Sequence, residues 1–156
     1  SLGLVGSEMC IRDRCRLLIE TEKSPQFIDI TERVAEHVGL SGINHGLVCI
    51  YSKHTTAAIK VNENEPLLIK DMESFISRLA PANDYYAHND FTVRTVNMTE
   101  DEYPNGHAHC QHLIMSSSET IPVIDGQMVL GTWQRLFLVE LDRPRPREVI
   151  VQILGT

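Results

Sequence analysis

The chain has 156 residues, of which 42% are hydrophobic and 22% are charged. These proportions predict a soluble globular protein and exclude a disordered, collagen-like or coiled-coil chain. Acidic residues outnumber Lys and Arg by 21 to 14, and a surface with this net charge of −7 disfavours general nucleic-acid binding. No apolar run has the roughly 20 residues of a membrane-spanning helix. The four cysteines contain no CxxC pair and require no oxidising compartment, so we expect a cytoplasmic protein without a membrane partner.

The opening segment, SLGLVGSEMCIRDR, differs in character from the rest of the chain. It lacks the periodicity of a helix or a strand, and it is a poor signal peptide. We expect residues 1–14 to be a foreign leftover of cloning or sequence assembly, or a disordered tail. Residues 15–156 are expected to form a single domain, because they contain no repeat and no linker.

Strands and short helices alternate in the first half of this domain. Residues 15–21 predict a strand. Thr31 is the predicted N-cap of a short helix, whose apolar face and stop are formed by Ile30, Val34, Val38 and Gly39. The segment 46–54 begins as a continuous apolar run, which predicts a strand buried on both faces. The segment 56–61 predicts a further strand.

A second helix is predicted to begin after Asn64, which would cap it, with Pro66 in its first turn. Its apolar stripe consists of Leu68, Met72, Phe75, Ile76 and Leu79. Asp71 lies on a neighbouring face, and Ala80-Pro81 ends the helix. The polar stretch 81–106 that follows has a length that often belongs to a functional site.

The last third of the chain predicts strands, which correspond to HLIMS, TIPVI, QMVLG, RLFLVEL and REVIVQIL. Asp125-Gly126 predicts a hairpin turn between two of them. The PRPR segment at 144–147 predicts a stiff connector. Several strands at short spacing with only two helices favour a β-rich α+β domain.

Polar residues that could take part in catalysis or ligand binding occur in three places. In the first, His54-Thr55-Thr56 follows a predicted strand end, where side chains commonly face a cleft, and Asn62-Glu63-Asn64 comes soon after. A hydrogen-bonded structural histidine followed by a turn is the alternative interpretation of His54.

The second place is the polar stretch with His88 and Asp90, followed by HAHCQH at 107–112. His107 and His109 would share one face of a strand and could meet one metal ion, whereas the spacing of His109 and His112 suits a helix. A solvated histidine-rich segment is the alternative, which we favour for His107 and His112 taken singly.

The third place is GTWQ at 131–134, followed by acids and arginines. Trp133 next to a glycine is typical of packing. Arg145 and Arg147 either form surface ion pairs or, if they point inward, hold a phosphate with their forked donors. The chain has no nucleophile elbow, P-loop or GxGxxG, which argues against a nucleotide cofactor.

Taken together, these residues resemble the YjbQ-like family, known as the secondary thiamine-phosphate synthase enzyme family. The resemblance covers about 15–155. One matching pattern is Ser118-x-x-Ile121-x-Val123-x-x-Gly126, then four residues, then Gly131-Thr132-Trp133-Gln134-x-Leu136. The other matches are His54-Thr55-Thr56, Asn62-Glu63-Asn64, Pro66, Asp71, His88 and His109.

The resemblance implies a small β-sandwich with about two helices, assembled as a homotrimer, with a polar site at subunit boundaries. It implies synthesis of thiamine phosphate from hydroxymethylpyrimidine diphosphate and thiazole phosphate, as an accessory activity. The implied catalytic residues are His54, His88, His109 and Glu63. The implied substrate-binding residues are Thr55, Asn62, Asp71, Trp133, Gln134, Arg145 and Arg147. A divalent metal, with zinc the first choice, would be held by His54, His88 and His109, with His107 a weaker candidate.

Two other functions fit the same residues. A metal-dependent hydrolase or lyase of another small molecule would use three imidazoles to hold zinc and activate water. A trimer without catalytic activity would use the His and Arg residues to bind a small anionic metabolite.

Overall fold

The computed structural model describes residues 11–156, and the first ten residues lie outside the description. The described residues contain eight strands, which are β1 (Ile11–Glu20), β2 (Gln26–Asp29), β3 (Gly46–Ser52), β4 (Ala57–Glu63), β5 (Ser118–Ile124), β6 (Gln127–Met128), β7 (Gln134–Glu140) and β8 (Pro146–Gly155). They also contain three α-helices, which are α1 (Thr31–Leu40), α2 (Pro66–Leu79) and α3 (Gly106–His112). A 3-10 turn covers Ala87–Asn89.

The strands form two antiparallel sheets. The larger sheet has the order β1-β8-β3-β5-β6, and the smaller one has the order β2-β7-β4. In the smaller sheet, β4 runs antiparallel to β7, so Ala57 is paired with Glu140 and Glu63 is paired with Gln134. This register places the start of β4 and the end of β7 at one end of the sheet.

The smaller sheet is buried on both faces. One face shares a core with the larger sheet and α1, to which β7 contributes Leu136 and Leu138. Its other face packs against α2 and α3, where Phe137 and Val139 meet Ile76. Because successive residues of a strand point to opposite faces, this double burial explains why β7 is apolar along most of its length.

The central strand of the larger sheet, β3, is less buried than the sequence predicted. The run at 46–54 was predicted to be buried on both faces, but β3 buries only alternate residues. Val48 and Ile50 point into the core, while Leu47 and Tyr51 remain 49% and 45% exposed. The apolar run therefore reflects a second apolar surface, which the single chain leaves open.

Several predicted boundaries also differ. The first strand was predicted to begin at Cys15, but β1 begins at Ile11 and pairs with β8 from there. Strand β2 was not predicted, because it is only four residues long. The segment HLIMS was predicted to be a strand, but its His112 is the last residue of α3 and the rest is a turn, from which a single bridge joins Ser116 to Ile59.

Two predicted helix caps were wrong. The N-cap of α2 is Glu65, rather than Asn64, and its carboxylate accepts hydrogen bonds from the backbone N–H groups of Leu67 and Leu68. Thr31 is the first residue of α1, and its hydroxyl instead accepts the backbone N–H of Leu136 on β7. The hairpin turn was confirmed, because Asp125 and Gly126 both have positive φ angles, as a two-residue hairpin of type I′ requires.

The fold is therefore α+β and strand-rich, with curled sheets. This confirms the predicted fold class, which was β-rich α+β. The described residues have three α-helices instead of about two, since α3 is a short histidine-rich helix without apolar periodicity. Within the described residues, every helix is too short or too polar to cross a membrane.

Candidate functional site

His88 and His109 come together in the structure, as the sequence predicted. Their ring centroids lie 4.7 Å apart, and the rings are inclined at 69° in an edge-to-face arrangement. Neither imidazole takes part in a side-chain hydrogen bond within residues 13–156. A pair of half-buried imidazoles without partners is available to a ligand.

The 3-10 turn carries His88, and α3 carries His109, so the pair depends on how closely the two elements pack. Asn89 accepts the backbone N–H of Gly106 at 2.8 Å. A Cβ atom at Gly106 would lie 2.6 Å from Cβ of Tyr86, so only glycine permits this approach. The NGHAH segment is thus a close-packed helix start, and His109 lies on a helix rather than at a strand start.

Burial lowers the pKa of His109, and the neighbouring His88 and Arg94 lower it further. The carboxylate of Asp142 opposes this effect. His109 is therefore neutral near pH 7, with one ring nitrogen free to donate and the other free to accept. Arg94 is held in the loop, where it pairs with Glu102 at 3.2 Å and also donates to backbone carbonyls.

His54 has a different environment from the pair. Its Nε2 accepts the backbone N–H of Glu148 at 2.9 Å, which ties the turn after β3 to β8. Burial lowers the pKa of His54, and Arg147 and Arg145 lower it further. The contact with Glu148 supports the structural interpretation of His54.

Arg147 was predicted to hold phosphate if it pointed inward, and it does point inward, but onto a carboxylate. Its guanidinium forms two hydrogen bonds with Glu140 and one with the hydroxyl of Thr56. The ion pair is almost completely buried, at 2% and 0% exposure. Because Nε and Nη2 are bonded to Glu140 and Thr56 within the core, Arg147 serves the fold in the single chain.

Arg145 remains available to a ligand. Its side chain is 43% exposed and lies 3.6 Å from the buried carboxylate of Asp142. The same carboxylate oxygen is 3.2 Å from Arg143. Asp142 raises the pKa of both His107 and His109, so it lies within electrostatic reach of both rings. Asp142 is one of the acids that follow GTWQ in the sequence, where no role was predicted for it; a carboxylate beside two arginines was the available signal.

Four of the remaining predicted residues lie at the other end of β4. Glu63 and Trp133 border a cavity of about 410 Å³, which the histidines do not line. Gln134 accepts the backbone N–H of Gly131, and Asn62 accepts that of Glu63. Strand β4 is seven residues long, and His54 precedes its first residue. This end therefore lies roughly 20 Å from the end at which His54 is found.

Two predicted substrate-binding residues lie apart from both the histidine pair and the cavity at Trp133. Thr55 is exposed in the turn between β3 and β4, and Asp71 is exposed on α2. The predicted site thus falls into two groups within one chain. We name them the histidine end, with His88, His109, Asp142 and Arg145, and the tryptophan end, with Glu63 and Trp133.

The predicted metal ligands do not form one set within the chain. Across residues 13–156, no three His, Cys, Asp or Glu side chains lie close enough together to hold a metal ion. Zinc sites in proteins use three or four protein ligands. The His88–His109 pair supplies two, so the chain alone does not fit the predicted site of His54, His88 and His109.

Comparison with known proteins agrees with the fold. The profile of the family described as UPF0047 protein YjbQ-like matches residues 16–156. A UPF0047 protein of Methanothermobacter thermautotrophicus is 37% identical over 139 residues, which are 89% of this chain and 90% of that protein. The UPF0047 protein YugU of Bacillus subtilis is 32% identical over 140 residues, or 89% of this chain and 97% of that protein.

Two solved structures show the same architecture. A YbjQ-like protein of unknown function from Sulfolobus solfataricus has a TM-score of 0.85 and 33% identity, covering 95% of this chain and 100% of that one. A hypothetical protein from Aeropyrum pernix has a TM-score of 0.82 and 38% identity, covering 92% and 99%. None of these four descriptions names an activity. The chain belongs to the UPF0047 family of YjbQ-like proteins.

Proposed function

We propose that this protein is a cytoplasmic transferase that acts on small phosphorylated metabolites at the histidine end. The observation that carries the proposal is the His88–His109 pair, which has no side-chain partner within residues 13–156 and lies within electrostatic reach of Asp142, beside which Arg145 is held. The resemblance to secondary thiamine-phosphate synthases supplies the reaction. Hydroxymethylpyrimidine diphosphate would be joined to thiazole phosphate.

The reaction breaks the bond between the pyrimidine methylene carbon and diphosphate, which leaves with the electron pair. The thiazole nitrogen then forms the new bond to that carbon with its own lone pair. The main demand on the protein is to stabilise the negative charge that develops on the leaving group. Arg145 can supply positive charge, and His109 can donate a hydrogen bond from its neutral ring.

An assay for thiamine phosphate tests this proposal directly. We expect the purified protein to form the product from the two substrates, and His109→Ala to lower the rate at least about 100-fold, as loss of a positioned proton donor does. Arg145→Ala should also lower the rate, by weakening the hold on diphosphate. His45→Ala, which removes an exposed histidine in the turn before β3, is the matched control.

Unaltered turnover in His109→Ala would contradict the proposed role of the histidine end. If the chain forms no product but inorganic phosphate raises its melting temperature, the protein is a binder of anionic metabolites. In that case the rise should disappear in Arg145→Ala and persist in His45→Ala.

We further propose that the complete site lies at a boundary between subunits of a homotrimer. This arrangement would bring the tryptophan end of one chain to the histidine end of the next, since within one chain Trp133 precedes β7 and Asp142 follows it. Mixing denatured His109→Ala and Glu63→Ala chains and refolding them together tests this idea. Each variant alone should be inactive, and mixed oligomers should regain part of the activity; no recovery would place the two residues in separate sites.

A metal-dependent hydrolase or lyase is the second candidate, and the side-by-side imidazoles of His88 and His109 favour it. The third ligand would have to come from a neighbouring chain. Mass spectrometry of the purified, untagged protein measures metal content per chain. About one zinc ion per chain, lost in His88→Ala, would favour this candidate, whereas full activity in a metal-free preparation would exclude it.

A further inference from the structure

A polar cavity of about 410 Å³ lies beside the histidine end, between α3 and the loop after α2. Its walls include Tyr103, Pro104, His107, Gln111 and Asp142. Neither His88 nor His109 lines it. The volume lies within the range of sites that bind small organic molecules. We call this space the polar cavity.

Three of the side chains that line the polar cavity are buried and have unpaired polar atoms. They are His107, Gln111 and Asp142, whose exposed fractions are 9%, 2% and 6%. The atoms without a partner are Nδ1 of His107, Oε1 of Gln111 and Oδ1 of Asp142. Buried polar atoms are almost always paired in proteins, so three exceptions around one cavity indicate a missing partner.

The chemical nature of these atoms is fixed by their neighbours. The amide nitrogen of Gln111 donates to the carbonyls of Ile76 and Ala80, so the end of the amide without a partner is the oxygen. Burial lowers the pKa of His107, so its ring is neutral near pH 7. The set therefore consists of two oxygen acceptors and one imidazole nitrogen.

Asp142 presents its two oxygens differently. Its Oδ2 lies near three donors, at 3.2 Å from Arg143, 3.4 Å from Asn105 and 3.6 Å from Arg145. These groups offset much of its charge, but Oδ1 has none of them as a partner.

From this arrangement we propose that the polar cavity binds a small planar molecule with adjacent N–H donors, of the amidine or amino-substituted heteroaromatic class. The N–H groups would meet Oδ1 of Asp142 and Nδ1 of His107. Terminal torsions of Asp and His side chains are broad, so a donor in the cavity can draw Oδ1 and Nδ1 towards it. The ring of Tyr103, which already carries Arg143 at 4.7 Å on its face, and Pro104 provide apolar walls for the flat part of the ligand.

Calorimetric titration of the full chain with benzamidine tests the proposal, with benzoate as a ligand of the same shape that lacks N–H donors and carries the opposite charge. We expect saturable binding of benzamidine and at least tenfold weaker binding of benzoate. Asp142→Asn and His107→Ala should each weaken benzamidine binding at least tenfold. His112→Ala is the matched control, because Nε2 of His112 is also buried and unpaired but His112 does not line the cavity.

A variant that blocks the cavity without touching its polar atoms keeps the test decisive if Asp142→Asn fails to fold. Ala82 is exposed at the cavity wall, and Ala82→Trp should fill the space and abolish binding while the circular dichroism spectrum stays unchanged. Equal affinity for benzamidine and benzoate, or undiminished binding in both His107→Ala and Ala82→Trp, would overturn the proposal. The absence of saturable benzamidine binding would overturn it as well, leaving ordered water as the partner of these atoms. None of these results depends on thiamine phosphate synthesis.

Discussion

At the scale of single residues, imidazoles that are partly or fully buried make the stability of this protein depend on pH near neutrality. Burial lowers the pKa of four histidines, which are His54, His107, His109 and His112. In the unfolded chain these rings take up a proton below their ordinary pKa of about 6.5, whereas the folded chain resists protonation until the pH is lower. Their contribution to stability is therefore present above pH 6.5 and is lost as the pH falls through the folded pKa values.

We predict that the free energy of unfolding decreases from pH 7.5 to pH 5.5, by at most about 1.4 kcal/mol per pH unit for each additional proton that the unfolded chain binds. Urea denaturation at a series of pH values measures this slope. His107→Asn should reduce the slope, because it removes one of the titrating groups, and the exposed His45→Asn serves as the control. A slope that is the same in His107→Asn and in the unmodified protein would contradict this account.

The buried pair of Glu140 and Arg147 is the second feature at this scale. Glu140 also accepts hydrogen bonds from the hydroxyl of Thr21 and from the backbone N–H groups of Leu141 and Asp142. Both charges are thus satisfied, and the pair fixes β8 against the end of β7. Removing one partner would leave a buried charge without its counterpart.

Arg147→Met is therefore expected to lower the free energy of unfolding by about 3–5 kcal/mol. The double variant Glu140→Gln with Arg147→Met should be more stable than Arg147→Met alone, because the neutral amide removes the unpaired charge and still accepts the backbone N–H groups. Denaturant titration of the two single variants and the double variant measures this coupling. Additive losses would show that the pair does not act as one unit.

The sequence singled out residues that are capable of chemistry, but it did not identify their partners. His88 and His109 could be singled out from residue type and position, and they do meet. For Arg147 the sequence left open whether the side chain points inward; it does, and its partner is Glu140, seven residues earlier at the end of β7. The sequence contains no measure of that distance, because the turn between β7 and β8 decides whether the guanidinium faces Glu140 or a ligand.

At the scale of elements, long strands were predicted well and short segments were not. Periodicity identifies β3, β7 and β8, since each buries several apolar residues. It does not identify β2, which has four residues, or α3, which has no apolar stripe and depends on the contact between Gly106 and Tyr86. The predicted Asn64 cap failed for a related reason: Asn64 donates its amide to Asp29 on β2, and Glu65 is left to cap the helix.

Two glycines give opposite predictions for the same substitution. Gly126 has φ of +72° in the β5–β6 turn, so Gly126→Ala should cost about 1–2 kcal/mol through backbone strain. Gly39 lies within α1 and a Cβ there would meet no atom within 4 Å, so Gly39→Ala should stabilise by about 0.5–1 kcal/mol. Thermal unfolding of both variants measures the difference. Destabilisation of similar size in both would show that space, rather than backbone conformation, limits these positions.

At the scale of the whole molecule, the open face of the larger sheet is the unusual feature. The side chains of β1, β3, β5 and β8 that point away from the core include Leu18, Leu47, Tyr51, Ile124 and Leu154, and all of them are more than 40% exposed. Leu47 and Leu154 are lateral neighbours in the sheet, so the apolar surface is continuous across β3 and β8. Contiguous apolar surface of this kind marks an interface in soluble proteins.

The homotrimer that we propose needs such a surface, and we predict that this face is buried between copies of the chain. Light scattering should then give a mass near three times 17.6 kDa for the unmodified protein. Because charges at the centre of an interface disfavour association, Leu47→Lys with Leu154→Lys should reduce the mass to that of one chain without changing the circular dichroism spectrum. Leu40→Lys, at a position that is 75% exposed at the end of α1, is the control and should leave the mass unchanged. A mass of one chain for the unmodified protein would exclude the trimer, and a trimer that survives the double substitution would place its interface on another face.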